Sequence, residues 1–195
     1  MVLDIQKNNE YKEGHLLNVL VLGIGNILFG DEGIGVHLCN YLKVNYNFHS
    51  DEHTITFIDG GTLANMLIPI IVEYDSVLLL DCVSVDKAQI GDVYSFEFDK
   101  IPSCITWAGS AHEVEMLQTL HLTKIMGDLP RVHVIGIVPE VIGEDTAFSL
   151  SESLLKGALT MEKSAIAYIE SMGFVVKKKQ NIPLQEIANN SYKGF

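Results

Sequence analysis

Four acids and a histidine sit where strands give way to loops or helices start. Glu32 lies inside Gly23-Ile-Gly-Asn-Ile-Leu-Phe-Gly-Asp-Glu-Gly-Ile-Gly-Val36, which reads as strand end, glycine loop and helix start. Asp59 begins Asp59-Gly60-Gly61, and Asp81 ends an apolar run from Val77 to Leu80. Glu140 follows Pro139, and His112 lies in Ser110-Ala-His-Glu113. Carboxylate oxygens and a neutral imidazole nitrogen suit borderline divalent ions such as nickel or zinc. Three such ligands with open positions make a catalytic or recognition site, not a closed structural one. Glu32, Asp81 and His112 are the candidate metal ligands. Their separations form no short motif, an Asp ending a strand is often a turn residue, and a lone histidine is usually structural.

The glycine loop is not a dinucleotide loop. Leu28 stands where the third glycine of that fingerprint belongs, and Asp31 and Glu32 would repel a pyrophosphate. Asp31 is the expected N-cap of the helix that follows. Glu32 is then free for other work, and the positive helix end favours its anion. Ser110 and Glu113 match a capping box. This puts His112 in a first helical turn, where the same dipole keeps the ring neutral and its lone pair available.

These residues need a frame to hold them. Strands are expected at about Leu16–Leu22, Thr54–Ile58, Ser76–Leu80 and Val132–Val138. Helices are expected at Gly33–Val44, from Thr62 with a break at Pro69, from the Ser110 box with His112 in the first turn and on through Leu120, and from a second capping box, Ser149-Leu-Ser-Glu152, to Gly173. The unbroken apolar run at Val77–Leu80 marks a strand buried on both faces, as in a parallel sheet. Gly91–Phe98 alternates and reads as an antiparallel edge strand. Such alternation predicts a three-layer α/β sandwich, a twisted, mostly parallel sheet of about five strands with helices on both faces. Right-handed crossovers bring the strand C-terminal ends to one edge, where ligands bind. The sequence reads as one domain, 1–195, with an N-terminal arm (1–14), a core (15–173) and a tail (174–195) lacking a strong pattern.

Of the 195 residues, 48% are hydrophobic, enough for a full core, and the formal charge is −12 from 25 acids and 13 bases. A surface this acidic argues against nucleic acid and suits metal ions or basic peptide segments. The polar start has no signal-peptide core, and no apolar run is long enough to insert in a membrane. Three cysteines (Cys39, Cys82, Cys104) without a C-x-x-C fit a reducing cytoplasm and no cysteine-rich zinc site. Cys82, beside Asp81, reads as a small buried apolar residue.

The stretch Gly23–Val36 resembles the opening signature of the nickel–iron hydrogenase maturation endopeptidases. Asp59-Gly60-Gly61 resembles that family's second motif, and Leu78-Leu-Leu-Asp81 followed by Gly91 its third. Ser110-Ala-His112 and Gly136-Ile-Val-Pro-Glu140 resemble two more. The resemblance runs in order from about Val19 to Gly173. It implies an endopeptidase that removes a short C-terminal peptide from the hydrogenase large-subunit precursor after nickel insertion, cutting after a His or Arg near the nickel-binding cysteines. The family's metal positions fall on Glu32, Asp81 and His112, with nickel carried by the precursor. Asp59 falls on a further acidic position tied to activity, so Asp59 and Asp81 are the implied catalytic residues. Ala111 departs from a frequent proline before the histidine. The alternatives are a nickel-binding maturation chaperone without proteolysis and a nucleotide-binding oxidoreductase.

Overall fold

A computed structural model describes residues 16–106, 111–140 and 148–195, with Thr106 and Ala111–Val114 as backbone alone. In chain order the described elements are β1 (Asn18–Ile24), a 3-10 turn (Gly30–Gly33), α1 (Ile34–Asn45), β2 (Tyr46–His49) and β3 (Thr54–Gly61). Next come a 3-10 turn (Ala64–Leu67), α2 (Ile68–Ile71), β4 (Ser76–Cys82), β5 (Ser84–Val85) and β6 (Val93–Glu97). A 3-10 turn (Phe98–Lys100), β7 (Ile105–Thr106), α3 (Ala111–Met126), β8 (Arg131–Ile137) and α4 (Glu152–Ser171) follow. The chain closes with β9 (Val175–Lys178), α5 (Leu184–Asn190) and a 3-10 turn (Ser191–Lys193).

The main sheet has the order β3-β1-β4-β8-β6. The first four strands run parallel, and β6 is antiparallel to β8 at the edge. Every residue of β4 is buried, as its unbroken apolar run requires. Side chains alternate across the sheet. Val21, Leu80 and Ile135 pack with Leu38, Leu154 and Ile187 on the α1, α4 and α5 side. Leu22, Leu79 and Val134 pack with Leu67, Ile71 and Met116 on the α2 and α3 side. This is the three-layer sandwich with a mostly parallel sheet that the sequence predicts.

The differences have physical causes. The helix after Thr62 is a 3-10 turn and one α-turn, with Pro69 in its first positions and no side-chain cap. The capping box at Ser149 is not used. Ser151 caps α4, its Oγ accepting from Leu154 N–H at 3.1 Å, with Gly173 beyond the C-terminal end at φ +92°. The strand β2, missed in sequence, pairs with β9. The tail is therefore structured, and Ile182, Leu184 and Ile187 pack on the α1 side. The arm 1–14 and the Ser110 cap lie outside the described residues; α3 does begin at Ala111.

At the N-terminal edge of the sheet, Arg131 forks onto Glu97 at 2.8 and 3.0 Å. His133 Nδ1 lies 2.9 Å from Glu97 and its Nε2 lies 2.8 Å from Ser95 Oγ. Ser–His–Glu is also the order of a nucleophilic triad. Here Tyr168 stacks flat on His133 at 4.1 Å and Arg131 occupies the carboxylate, so the cluster fastens β6 and β8 to α4. Burial works against the Glu97 anion, but the bonds from His133 and Arg131 outweigh it and hold its pKa at about 2, below the ordinary 4.5. A depressed carboxylate stabilises above its unfolded pKa, and that contribution fades as pH falls from 4.5 toward 2. Glu97→Gln is expected to destabilise by about 1–3 kcal/mol at pH 7. In thermal melts it should also flatten the decline of Tm between pH 4.5 and pH 2.

Candidate functional site

Helix α1 starts directly on the strand ends. A Cβ at Gly35 would run into the carbonyls of Leu80 and Ile24, so only glycine permits this approach. The Gly30–Gly33 turn thereby lies against the end of β4, where Cys82 Sγ contacts Asp31 O at 3.3 Å. Glu32 and Asp81 each stand one residue from that contact. The structure thus brings these two acids to one junction at the C-terminal edge.

Both side chains are buried. Glu32 is 4% exposed and Asp81 0%. Asp81 Oδ1 accepts from the Cys82 N–H at 2.8 Å. His112 lies in the first turn of α3. Asn65 N–H donates to Glu115 Oε1 at 3.4 Å, which ties α3 to the turn that follows β3. No cluster of three His, Cys, Asp or Glu side chains converges on one point among the described residues, which do not include the His112 side chain.

Asp59 is set apart. It is level with Gly23 of β1, as is Leu80 of β4, so β1 separates it from Asp81 by two strand spacings, about 10 Å. Alternation puts Asp59 with Phe57 on the α1 side and Asp81 with Leu79 on the α3 side. Gly60 is the extra residue of a bulge that ends the pairing. Burial raises the Asp59 pKa, opposed by the Gly61 N–H, which donates to Oδ1 at 3.0 Å. On the same side, burial pushes the Cys39 thiol up to about 12, and the Asp59 charge adds to this, so Cys39 is inert.

Asp31 is not the expected cap; no side chain caps α1 or the turn before it. Its Oδ1 accepts from Ser151 N–H at 2.8 Å. Its Oδ2 accepts from Glu140 N–H at 3.0 Å and Ser151 Oγ at 2.8 Å. Glu140 thus contributes its backbone, and its side chain is exposed. Sequence reasoning missed this role because the partners lie 109 and 120 residues away. Asp31→Ala would strand three donors, and a loss of about 2–4 kcal/mol is expected in denaturant unfolding.

The frame is a doubly covered, mostly parallel sheet with two acids close to where a glycine-rich turn meets its central strand. The family model of the hydrogenase maturation protease HycI matches residues 36–168. Protein HydD of Wolinella succinogenes is 49% identical over 160 residues, which cover 82% of this chain and all of that protein. The hydrogenase 2 maturation protease of Escherichia coli is 25% identical, over 77% of this chain and 91% of its own. In fold, the E. coli hydrogenase maturating endopeptidase HybD superposes with a TM-score of 0.71 at 23% identity, covering 84% of this chain and 98% of that one. The chain belongs to the hydrogenase maturation protease family, and its chemistry is peptide-bond hydrolysis. The chaperone and oxidoreductase alternatives find no support in these matches. No described helix is long and apolar enough to cross a membrane.

Proposed function

We propose that this endopeptidase removes the C-terminal peptide of a nickel–iron hydrogenase large-subunit precursor, and that Glu32, Asp81 and His112 engage the nickel the precursor already carries. The observation that carries the reading is the contact between Asp31 and Cys82, the chain neighbours of Glu32 and Asp81, at the C-terminal edge of the sheet. Two carboxylates and one imidazole suit a borderline divalent ion. As part of the substrate, the ion marks a loaded precursor and polarises the scissile carbonyl. Asp59, its pKa raised, is suited to take a proton from a water near the edge. The acidic chain would attract a basic residue before the cut. Cys39, Cys82 and Cys104 form no disulfide among the described residues, which supports a cytoplasmic location.

The test is incubation with nickel-loaded precursor followed by intact-mass measurement. Loss of one C-terminal peptide is expected. An unchanged precursor mass would remove the reading.

A further inference from the structure

We infer that the C-terminal segment 182–195 positions the Asp31–Glu32 turn for the reaction, through Ser191 and His37 on one route and Gln185 on another. The inference rests on the function proposed above.

The first route runs through a buried ring. Ser191 Oγ donates its proton to Ile187 O at 3.0 Å. The 2.8 Å contact between Ser191 Oγ and His37 is then His37 Nδ1–H donating to the hydroxyl. The Nε2 lone pair points toward the turn and has no partner among the described residues. Burial lowers the His37 pKa to about 4, so the ring is neutral at working pH. A Cβ at Gly33 would lie 2.7 Å from Nε2. The ring therefore fills the notch of the residue directly after Glu32, and Ser191 sets its tilt.

The second route reaches the same turn from its other side. Gln185 Oε1 accepts from Leu150 N–H at 2.9 Å, and its Nε2 donates to Phe148 O at 3.1 Å. These bonds fix the strand of chain that leads to Ser151, whose N–H and hydroxyl both grip Asp31. Asp31 and Gly33, gripped by the two routes, flank Glu32. A third tail contact, Lys43 Nζ to Phe195 O at 2.8 Å, holds the tail to α1 without leading to the turn.

The test compares Ser191→Ala, Gln185→Ala, Ser191→Thr and the control Lys43→Ala in full-length protein cleaving nickel-loaded precursor. A small displacement of a reacting group lowers turnover steeply, so Ser191→Ala and Gln185→Ala should each lower kcat about ten-fold. KM should rise less than in Glu32→Gln, since the ligand itself is kept and only its placement changes. Ser191→Thr, which keeps the hydroxyl, should restore kcat, and Lys43→Ala should cleave like the parent. Hydrogen exchange in the 28–36 peptide should quicken in Ser191→Ala and not in Lys43→Ala. Parental kcat in both alanine variants, or an equal loss in Lys43→Ala, overturns the inference. Should Ser191→Ala not fold, Gln185→Ala decides by the same split. If the parent protein leaves the precursor whole, the proposed function fails and not the positioning role, which exchange still reads.

Discussion

Asp81→Asn should stop precursor cleavage, with a loss of at least about 10³-fold in kcat, while the protein stays folded. Asp81 is the penultimate residue of the central strand and is fully buried. A buried residue invites the expectation that substitution unfolds the chain, yet asparagine avoids the usual causes. It has the same shape, and its Oδ1 still accepts from the Cys82 N–H. A neutral amide is also easier to bury than a carboxylate. What asparagine removes is the charge that a divalent ion on the substrate would meet. Tm should therefore stay within a few degrees as cleavage vanishes. Asp81→Ala leaves the Cys82 N–H unsatisfied and should cost about 1–3 kcal/mol as well as activity. His112→Ala should also abolish cleavage. Glu32→Gln keeps the turn and removes one anionic ligand, so its main effect should be weaker engagement of the precursor, read as a higher KM. If Asp81→Asn melts far below the parent, that carboxylate is structural.

How much of this was legible in the sequence depended on the distance over which each residue acts. The run Val77–Leu80 reported burial on two faces, and the alternation before Phe98 reported an antiparallel edge, because strand environment is written in neighbouring residues. The placing of acids at strand ends rests on the same local pattern, and Asp31 and Cys82, the neighbours of Glu32 and Asp81, do meet. The contact of the Asp31 carbonyl with Cys82 was not legible, because it joins residues 51 apart in the chain. Asp31 was misread for a similar reason. A carboxylate at a helix start has a local use as a cap, but Asp31 bonds to Ser151, 120 residues on. The same bond engages Ser151, the residue that caps α4 in place of Ser149. The pairing of β2 with β9 joins two four-residue strands far apart in the chain, at Tyr46–His49 and Val175–Lys178, each too short to show a period.

Cleavage should depend on nickel in the precursor, and the dependence should survive removal of metal from the enzyme. The candidate donors on this chain are two carboxylates and one imidazole, a set that holds a free ion only moderately. Nickel held by thiolates of the precursor keeps open positions that oxygen and nitrogen donors can fill. Two partial sites would then complete one another, and the ion would be the check that the precursor is loaded. Release of the peptide would follow loading and could not precede it. With chelator-treated enzyme at equal precursor concentration, nickel-loaded precursor should be cut and nickel-free precursor should stay whole. Because the missing contact is one of engagement, nickel-free precursor should also compete poorly against loaded precursor. Adding nickel to the enzyme alone should not rescue the nickel-free substrate, since the ion must sit beside the scissile bond. Equal cutting of both precursors would assign Glu32, Asp81 and His112 to ordinary hydrolysis, and the loading check would have to lie elsewhere in the precursor's own fold.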